Sequence, residues 1–326
     1  RTPSSSYEAP LAQRIGVRSR SPSKRLRRVL SDFGIDASFA KAATKVLEHY
    51  GFDITARAVR KATLESALQA TQHHRQGEAQ EHRLLPTQGP QTLIAEADGS
   101  FIRTVEPGSS KGKRPRQWEE IRLAAVQVHG QEQCVYGVSF GAPEELGRRW
   151  GHCAKQAGRG LDSRIHCVGD GAVWIELQCQ EVFGGQGSYL VDFFHVSEYL
   201  AAAAPTCRPH APEFWRKTQH KRLKRGDLKR TLKDLAAHLE ATGTPEEEAP
   251  VRAVHRYLSN RADQLDYPQA LAQGLPIGSG LIESGHKHVL QARLKLPGCA
   301  WLKENASDMA QLRALRANGQ WERIWN

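Results

Sequence analysis

Two short apolar stretches each run into an Asp-Gly pair, and this repeated pattern constrains the fold more than any other feature. The first is residues 92–102, where strand alternation puts Glu96 and Asp98 on one face. The second is residues 163–172, which reach Asp170. A carboxylate at the end of a central strand loses hydration unless a partner, usually a metal ion, neutralises it. Taken alone, the first Asp-Gly pair is equally consistent with a simple hairpin turn.

A third acidic residue follows a different kind of turn, near the C-terminus. Residues 278–280 form a Gly-Ser-Gly elbow, and we expect it to open a helix with Glu283 in its first turn. Three separated elements therefore each carry one acid, Asp98, Asp170 and Glu283, at a turn or an element end. Magnesium prefers such oxygen ligands and takes a few carboxylates together with water and substrate phosphates.

The motifs around these acids resemble a known family. They are IAEADGSF (94–101), VGDGAVWI (168–175), VDFFHVSEYL (191–200) and GLPIGSGLIESGHKHVLQARL (274–294). Together they resemble the DDE transposases of bacterial insertion sequences, of the ISKra-type group, which are distant relatives of the Mutator-like transposases. The resemblance runs from about residue 6 to the C-terminus, and its last motif is the most specific.

The resemblance implies an RNase H-like core that cleaves DNA and transfers strands during transposition. It implies that Asp98, Asp170 and Glu283 hold two Mg²⁺ ions, or Mn²⁺ in their place. It also implies an accessory Asp-x-x-His feature, matched by Asp192 and His195. The alternative for this pair is an aspartate that begins a helix and a buried histidine hydrogen-bonded to it.

The charge of the chain favours a nucleic-acid partner. Among 326 residues the formal net charge is +11, which suits a polyanion. No apolar run approaches the roughly 18 residues of a membrane helix, so we expect no membrane partner. The six cysteines lack zinc-site spacing, which predicts buried free thiols in a cytoplasmic protein. From the resemblance we expect a nucleoid-associated bacterial protein that binds element terminal repeats and target DNA as a homo-oligomer.

The sequence predicts an α/β fold in which an RNase H-like mixed sheet is interrupted by an all-helical insertion. A helical region that resembles a helix-turn-helix precedes the sheet. We expect Gly51 to end its first helix and Thr55 to cap its second. In the insertion, Pro245 predicts the first residue of a capped helix. The expected segments are a basic flexible segment (1–30), the helical region and linker (31–88), the first part of the core (89–197), the insertion (198–273) and the C-terminal core helices (274–326).

Basic residues near these elements are candidate DNA contacts. They are Arg57, Arg60 and Lys61 on the second helix, Lys111 and Lys113 in the loop after the first strand, Arg216, Lys217, Lys221, Arg222, Lys224 and Arg225 in the insertion, and Lys287 and Arg293 after the elbow. Counterion release would make such binding fall steeply with salt. Each of the first three groups also has a structural alternative. The second helix fits a helical hairpin that only packs on the core, the loop fits a solvated turn, and the insertion cations fit a solvated helix face.

Two other functions fit the same residues. One is an RNase H-like nuclease that hydrolyses DNA without joining strands. The other is a catalytically inactive, transposon-derived DNA-binding protein, although a relic need not keep all three acids. A serine or tyrosine recombinase is disfavoured because nothing in the sequence requires a covalent nucleophile.

Overall fold

The computed structural model describes residues 22–79, 84–107 and 116–325, and these residues pack as two compact units. The sheet unit takes residues 84–100 and 121–285. The helical unit takes its described residues from 1–83, 101–120 and 286–326. We predicted residues 274–326 as part of the sheet-bearing core, whereas the structure groups 286–326 with the N-terminal helices.

Five strands form one mixed sheet. They are β1 (Thr92–Val105), β2 (Arg116–Val128), β3 (Cys134–Ser139), β4 (Arg164–Gly169) and β5 (Gly187–Val191). Their order is β3-β2-β1-β4-β5, with β2 and β3 antiparallel and with β4 parallel to both β1 and β5. The predicted α/β class with a mixed sheet is therefore confirmed.

The remaining elements are helices. In chain order the α-helices are α1 (Lys24–Asp36), α2 (Phe39–Tyr50), α3 (Ala56–Ala79), α4 (Pro143–Gln156), α5 (Val173–Phe183), α6 (Phe193–Cys207), α7 (Pro212–Lys224), α8 (Leu228–Ala236), α9 (Pro250–Ser259), α10 (Tyr267–Ala272), α11 (Gly280–Gly285), α12 (Ala292–Leu294) and α13 (Lys303–Ala317). A π-helical segment, His286–Gln291, continues directly from α11.

Strand alternation gives the sheet one fully apolar face. Leu93, Ala95 and Ala97 of β1 pack with Trp150 of α4 and Phe183 of α5 in one buried cluster. The residues between them on β1 therefore point to the opposite face, and these include Glu96 and Asp98. The acidic residues thus lie on the face that α4 and α5 leave uncovered.

The insertion is all-helical, as its sequence predicts, and α6 to α10 share one apolar core. One helix start differs from the prediction. Residues Glu246–Glu248 form a single 3₁₀ turn, and α9 begins only at Pro250. The reason is Ala249, which precedes a proline and so is pushed out of the helical region, with φ −119° and ψ 61°.

The N-terminal helices of the helical unit follow the predicted pattern. Gly51 ends α2 in the left-handed conformation at φ 72°, as glycine at this position allows. Thr55 accepts the Ala58 backbone N–H at 3.2 Å and so caps α3. However, α1 begins at Lys24, inside the stretch that we expected to be flexible, because Ser23 caps it and its apolar side packs against α2 and α3.

Candidate active site

Two aspartates follow the last paired residues of adjacent parallel strands. The register of β1 and β4 pairs Glu96 with Val168. Asp98, still within β1, and Asp170, just after β4, each lie two residues beyond that pair. Ligands of open α/β sheets bind at this end of the strands. The predicted convergence of the first two acids therefore has a basis in the register.

Asp98 does not lie at a turn. β1 runs unbroken from Thr92 to Val105, so the hairpin alternative is wrong, as is the expectation that the strand ends at this residue. Asp98 is half-buried, and its Oδ1 accepts the N–H of Gly99 at 2.7 Å. The local turn preference of Asp-Gly is overridden because β1 and β2 continue as paired long strands.

Asp170 lies at a strand end, as predicted, in a turn that the insertion holds in place. Gly171 has φ +86°, which favours glycine, and a Cβ there would lie 2.6 Å from atoms of both Arg261 and Tyr257. The Tyr257 hydroxyl donates to the Asp170 carbonyl at 2.6 Å. Arg261 donates twice to the Gly171 carbonyl, at 2.9 and 2.7 Å. The end of α9 therefore fixes the backbone that carries Asp170.

Asp192 is a buried clamp for the Gly-Ser-Gly elbow. The register of β4 and β5 pairs Gly169 with Val191, so Asp192 follows level with Asp170. Its Oδ1 accepts the Phe194 N–H at 2.6 Å and caps α6. Its Oδ2 accepts the Ser279 N–H at 3.0 Å and also the Ser279 hydroxyl.

Glu96 is a second buried clamp, and the sequence reasoning did not assign it a role. It is 1% exposed, and its Oε2 accepts the Ile282 N–H at 2.7 Å. Burial, together with the nearby charges of Asp192 and Glu283, raises the pKa of Glu96 to about 8, against the lowering effect of the hydrogen bonds from the backbone. The signal was present, since an acid inside an apolar strand requires a partner.

A third strand anchors the same segment. His166 of β4 bonds through Nε2 to the Pro276 carbonyl at 2.8 Å, and burial lowers the pKa of its ring, which favours the neutral form. The Phe193 N–H donates to the Ile277 carbonyl at 2.8 Å. Strands β1, β4 and β5 thus each hold one part of the segment that leads to Glu283.

Two glycines let this segment pack closely. A Cβ on Gly278 would lie 2.5 Å from the Phe194 ring, and one on Gly285 would lie 2.7 Å from the Tyr136 ring. Between them, α11 opens with the Glu283 N–H donating to the Ser279 carbonyl at 3.2 Å. Glu283 is exposed in this first turn, as predicted.

Comparison with known families places most of the chain in an uncharacterised family. The model of the uncharacterised protein family UPF0236 matches residues 12–325. The chain belongs to this family. A search of curated proteins finds no match to it. In the part of the UPF0236 chain that the structure describes, no helix has both the length and the apolar character to cross a bilayer.

His195 of this UPF0236 chain does not bond to Asp192, so that alternative is wrong. Asp192 does cap the helix, as that alternative expected. However, both of its carboxylate oxygens accept hydrogen bonds from Phe194 and Ser279. His195 is half-exposed, with its ring 5.4 Å from that of Tyr199 and its Nδ1 3.7 Å from Glu198.

The cations of the insertion divide into two groups. Arg216 is held by Glu213 at 2.7 and 2.9 Å, and Arg222 by Asp234 at 2.8 Å, so both serve the packing of the insertion. The other four predicted contacts are exposed, and of these Lys217 lies 3.8 Å from Glu213: Lys217, Lys221, Lys224 and Arg225.

In the helical unit one predicted DNA contact is wrong. Arg293 is 2% exposed and donates to the Gly34 carbonyl at 3.0 Å, with its guanidinium over the Phe39 ring at 4.6 Å. Such a side chain is unavailable to phosphates. The exposed predicted contacts are Arg57, Arg60, Lys61 and Lys287, whereas Lys111 and Lys113 lie outside the described residues.

Asp98, Asp170 and Glu283 offer carboxylate oxygens, which are the type of ligand that a hard divalent cation prefers. Asp192 uses both of its oxygens and Glu96 holds Ile282. Of the candidate ligands Asp98, Asp170 and Glu283, the two aspartates each accept one backbone N–H through Oδ1. Across residues 22–79, 84–107 and 116–325, no three acidic, histidine or cysteine side chains are grouped closely enough to hold a metal ion.

Proposed function

We propose that this chain is a DDE transposase that cleaves and joins DNA with Mg²⁺ or Mn²⁺. The observation that carries the proposal is the register of two adjacent parallel strands, which ends two residues before both Asp98 and Asp170. The Gly-Ser-Gly elbow before Glu283 supports it, because Asp192, which follows the next strand, holds that elbow. The strand order β3-β2-β1-β4-β5, with a helical insertion before the last acid, supports an RNase H-like core. Such an enzyme would act on the bacterial nucleoid, as a homo-oligomer on paired element ends.

In this proposal the chain's own residues divide the work. Asp98, Asp170 and Glu283 would hold two ions, which when bound activate the attacking oxygen and stabilise the leaving oxygen. Glu96, Asp192 and His166 hold the segment before Glu283 and so set its distance from the two aspartates. Without a cation, repulsion among the carboxylates opposes their close approach.

The proposed reaction has two phosphoryl transfers. Water attacks the phosphodiester at the element end, and the 3′-oxygen leaves as a hydroxyl. That hydroxyl then attacks a target phosphodiester, and the target's own 3′-oxygen leaves. The protein forms no covalent intermediate. Lys217, Lys221, Lys224 and Arg225 supply an exposed basic surface that suits the DNA backbone.

Cleavage of DNA that carries the element's own ends tests the proposal. We expect Asp98→Asn, Asp170→Asn and Glu283→Gln each to lower the cleavage rate by at least about 10³-fold, because each removes a charge that neutralises the ions. DNA affinity should change little. Glu132→Gln, which alters an exposed acid outside the site, is the matched control.

The same assay separates the alternatives. Normal cutting by all three variants would refute the assignment. Cleavage without joining of pre-cleaved ends would favour an RNase H-like nuclease. Salt-sensitive binding with no cleavage in Mg²⁺ or Mn²⁺ would favour an inactive transposon-derived DNA-binding protein.

A further inference from the structure

The helical unit contains a cavity of about 910 Å³ that the catalytic proposal does not use. Its lining combines cations with aromatic rings. The cations include Lys24 and Arg25, and the aromatic residues are Phe33, Tyr50, Trp321 and Trp325. The volume lies within the range of small-molecule sites. All of these residues belong to α1, α2 or the C-terminal segment of the same unit.

The four cations of the lining are not equivalent. Arg28 is paired with Glu322, with an NH1 to Oε2 distance of 2.8 Å, and Arg316 is paired with Asp36 at 2.9 Å. Lys24 and Arg25 are exposed and form no ion pair with any residue of the described ranges. The acid of the lining, Asp32, lies 3.4 Å from Arg316, so within the described residues the charges of Lys24 and Arg25 are left uncompensated.

The position of these two cations is locally unfavourable. Lys24 and Arg25 occupy the first turn of α1, which contains no acidic residue. The N-terminus of a helix carries partial positive charge, so cations there repel it, whereas an anion is stabilised. An anionic ligand would remove this conflict, because it would meet both the helix N-terminus and the two side chains.

The walls of the cavity offer a different kind of contact. Trp321 and Trp325 meet edge to face at 5.6 Å between ring centroids, and Phe33 and Tyr50 do so at 6.3 Å. Trp325 is 6% exposed, and its indole N–H is buried without an acceptor among the described residues. A buried donor without an acceptor is costly, and a turn of the Trp325 ring toward the cavity would let a ligand accept its hydrogen bond.

We propose that this cavity binds an unpaired nucleotide of a DNA strand. The phosphate would lie at Lys24 and Arg25, the base would stack on the aromatic walls, and a base or sugar oxygen or ring nitrogen would accept from Trp325. A ligand that joins an anion to a flat ring satisfies both halves of the lining. The choice of DNA over a free nucleotide rests on the proposed function, whereas the recognition chemistry does not.

The test compares the affinity of the full chain for two labelled duplexes, one blunt and one with a three-nucleotide single-stranded extension, at fixed salt. We expect the extension to strengthen binding at least fivefold, the lower range for stacking one base. Lys24→Ala/Arg25→Ala and Trp325→Phe should each reduce this preference and leave the blunt duplex bound as before. Lys41→Ala/Lys233→Ala, which removes two exposed cations outside the cavity, should retain it.

Three results would overturn the proposal. They are no preference of the native chain for the extension, a preference that survives in both cavity variants, or an equal loss of affinity of these variants for both duplexes. Quenching of tryptophan fluorescence by deoxyadenosine monophosphate, without a preference for the extension, would assign the site to free nucleotides and overturn the DNA assignment. The assay involves no cleavage. A chain that fails to cut DNA can still pass it, and an active transposase can still fail it.

Discussion

Two buried carboxylates of the sheet unit accept hydrogen bonds from the backbone, whereas two buried guanidiniums of the helical unit donate to it. Glu96 and Asp192 accept from backbone N–H groups at the start of α11 and α6. Arg293 and Arg313 donate to backbone carbonyls, and burial lowers the pKa of Arg293 only to about 10. A buried carboxylate can be neutralised by a proton near neutral pH, whereas a buried guanidinium stays charged and must be satisfied by its neighbours.

This difference predicts that the arginines are the costlier side chains to remove. Arg313 donates to the Val289 and Ile35 carbonyls, both at 2.6 Å, to the His288 carbonyl and to Asp36 at 3.1 Å. Arg313→Met leaves three carbonyls without this donor, and we expect the free energy of unfolding to fall by about 4 kcal/mol. Chemical denaturation measures this. Arg313→Lys, which keeps the charge, should lose less, and an equal loss would show that charge is irrelevant.

The second prediction concerns the pH response of the carboxylate clamp. The pKa of Glu96 rises from 4.5 to about 8 on folding, so the folded state binds more protons between these values. Its stabilising contribution is therefore full below pH 4.5 and is lost as the pH rises through about 8. In chelator, we expect this residue to lower the free energy of unfolding by about 4 kcal/mol across that interval.

Glu96→Gln supplies the control for this response, because it keeps an acceptor for Ile282 and cannot titrate. Its free energy of unfolding should vary less between pH 5 and 8 than that of the native chain. Parallel curves for the two proteins would show that Glu96 is not the titrating group. Arg313→Met should keep the native slope, since that guanidinium stays charged over the interval.

The smallest effect is expected at the other carboxylate clamp. Asp192→Asn keeps one oxygen but cannot accept from both Phe194 and Ser279, so we expect a loss of about 2 kcal/mol in the free energy of unfolding. DNA cleavage should fall at low Mg²⁺ and recover partly at high Mg²⁺, since the elbow positions Glu283. A stability loss with an unchanged Mg²⁺ dependence would limit Asp192 to a structural role.

Local sequence patterns predicted elements well where the local signal and the packing agree. Gly51 and Thr55 mark the end of α2 and the start of α3, and Met309 and Leu312 at helical spacing are fully buried in α13. The same patterns failed where a distant contact decides. Asp98-Gly99 has the composition of a turn, yet it continues a strand because β2 pairs with it.

The candidate site was predictable in its acids and not in its supports. Asp98, Asp170 and Glu283 stand out because each interrupts or follows an apolar stretch. The partners of Glu96 and Asp192 lie 186 and 87 residues away along the chain, beyond any periodicity. The prediction that Arg293 contacts DNA was wrong for the same reason. The side chain is turned inward by its bond to Gly34, which is 259 residues away along the chain.

The bonds from Tyr257 and Arg261 to the turn at Asp170 bear on how the chain can be shortened. A minimal core made by excising the insertion would keep all five strands and all three acids. It would lose the two side chains that hold the Asp170 and Gly171 carbonyls, and would leave Gly171 space to change conformation. Attempts at miniaturisation should therefore retain α9 and the residues that follow it up to Arg261, because the insertion is part of the framework and not a removable attachment.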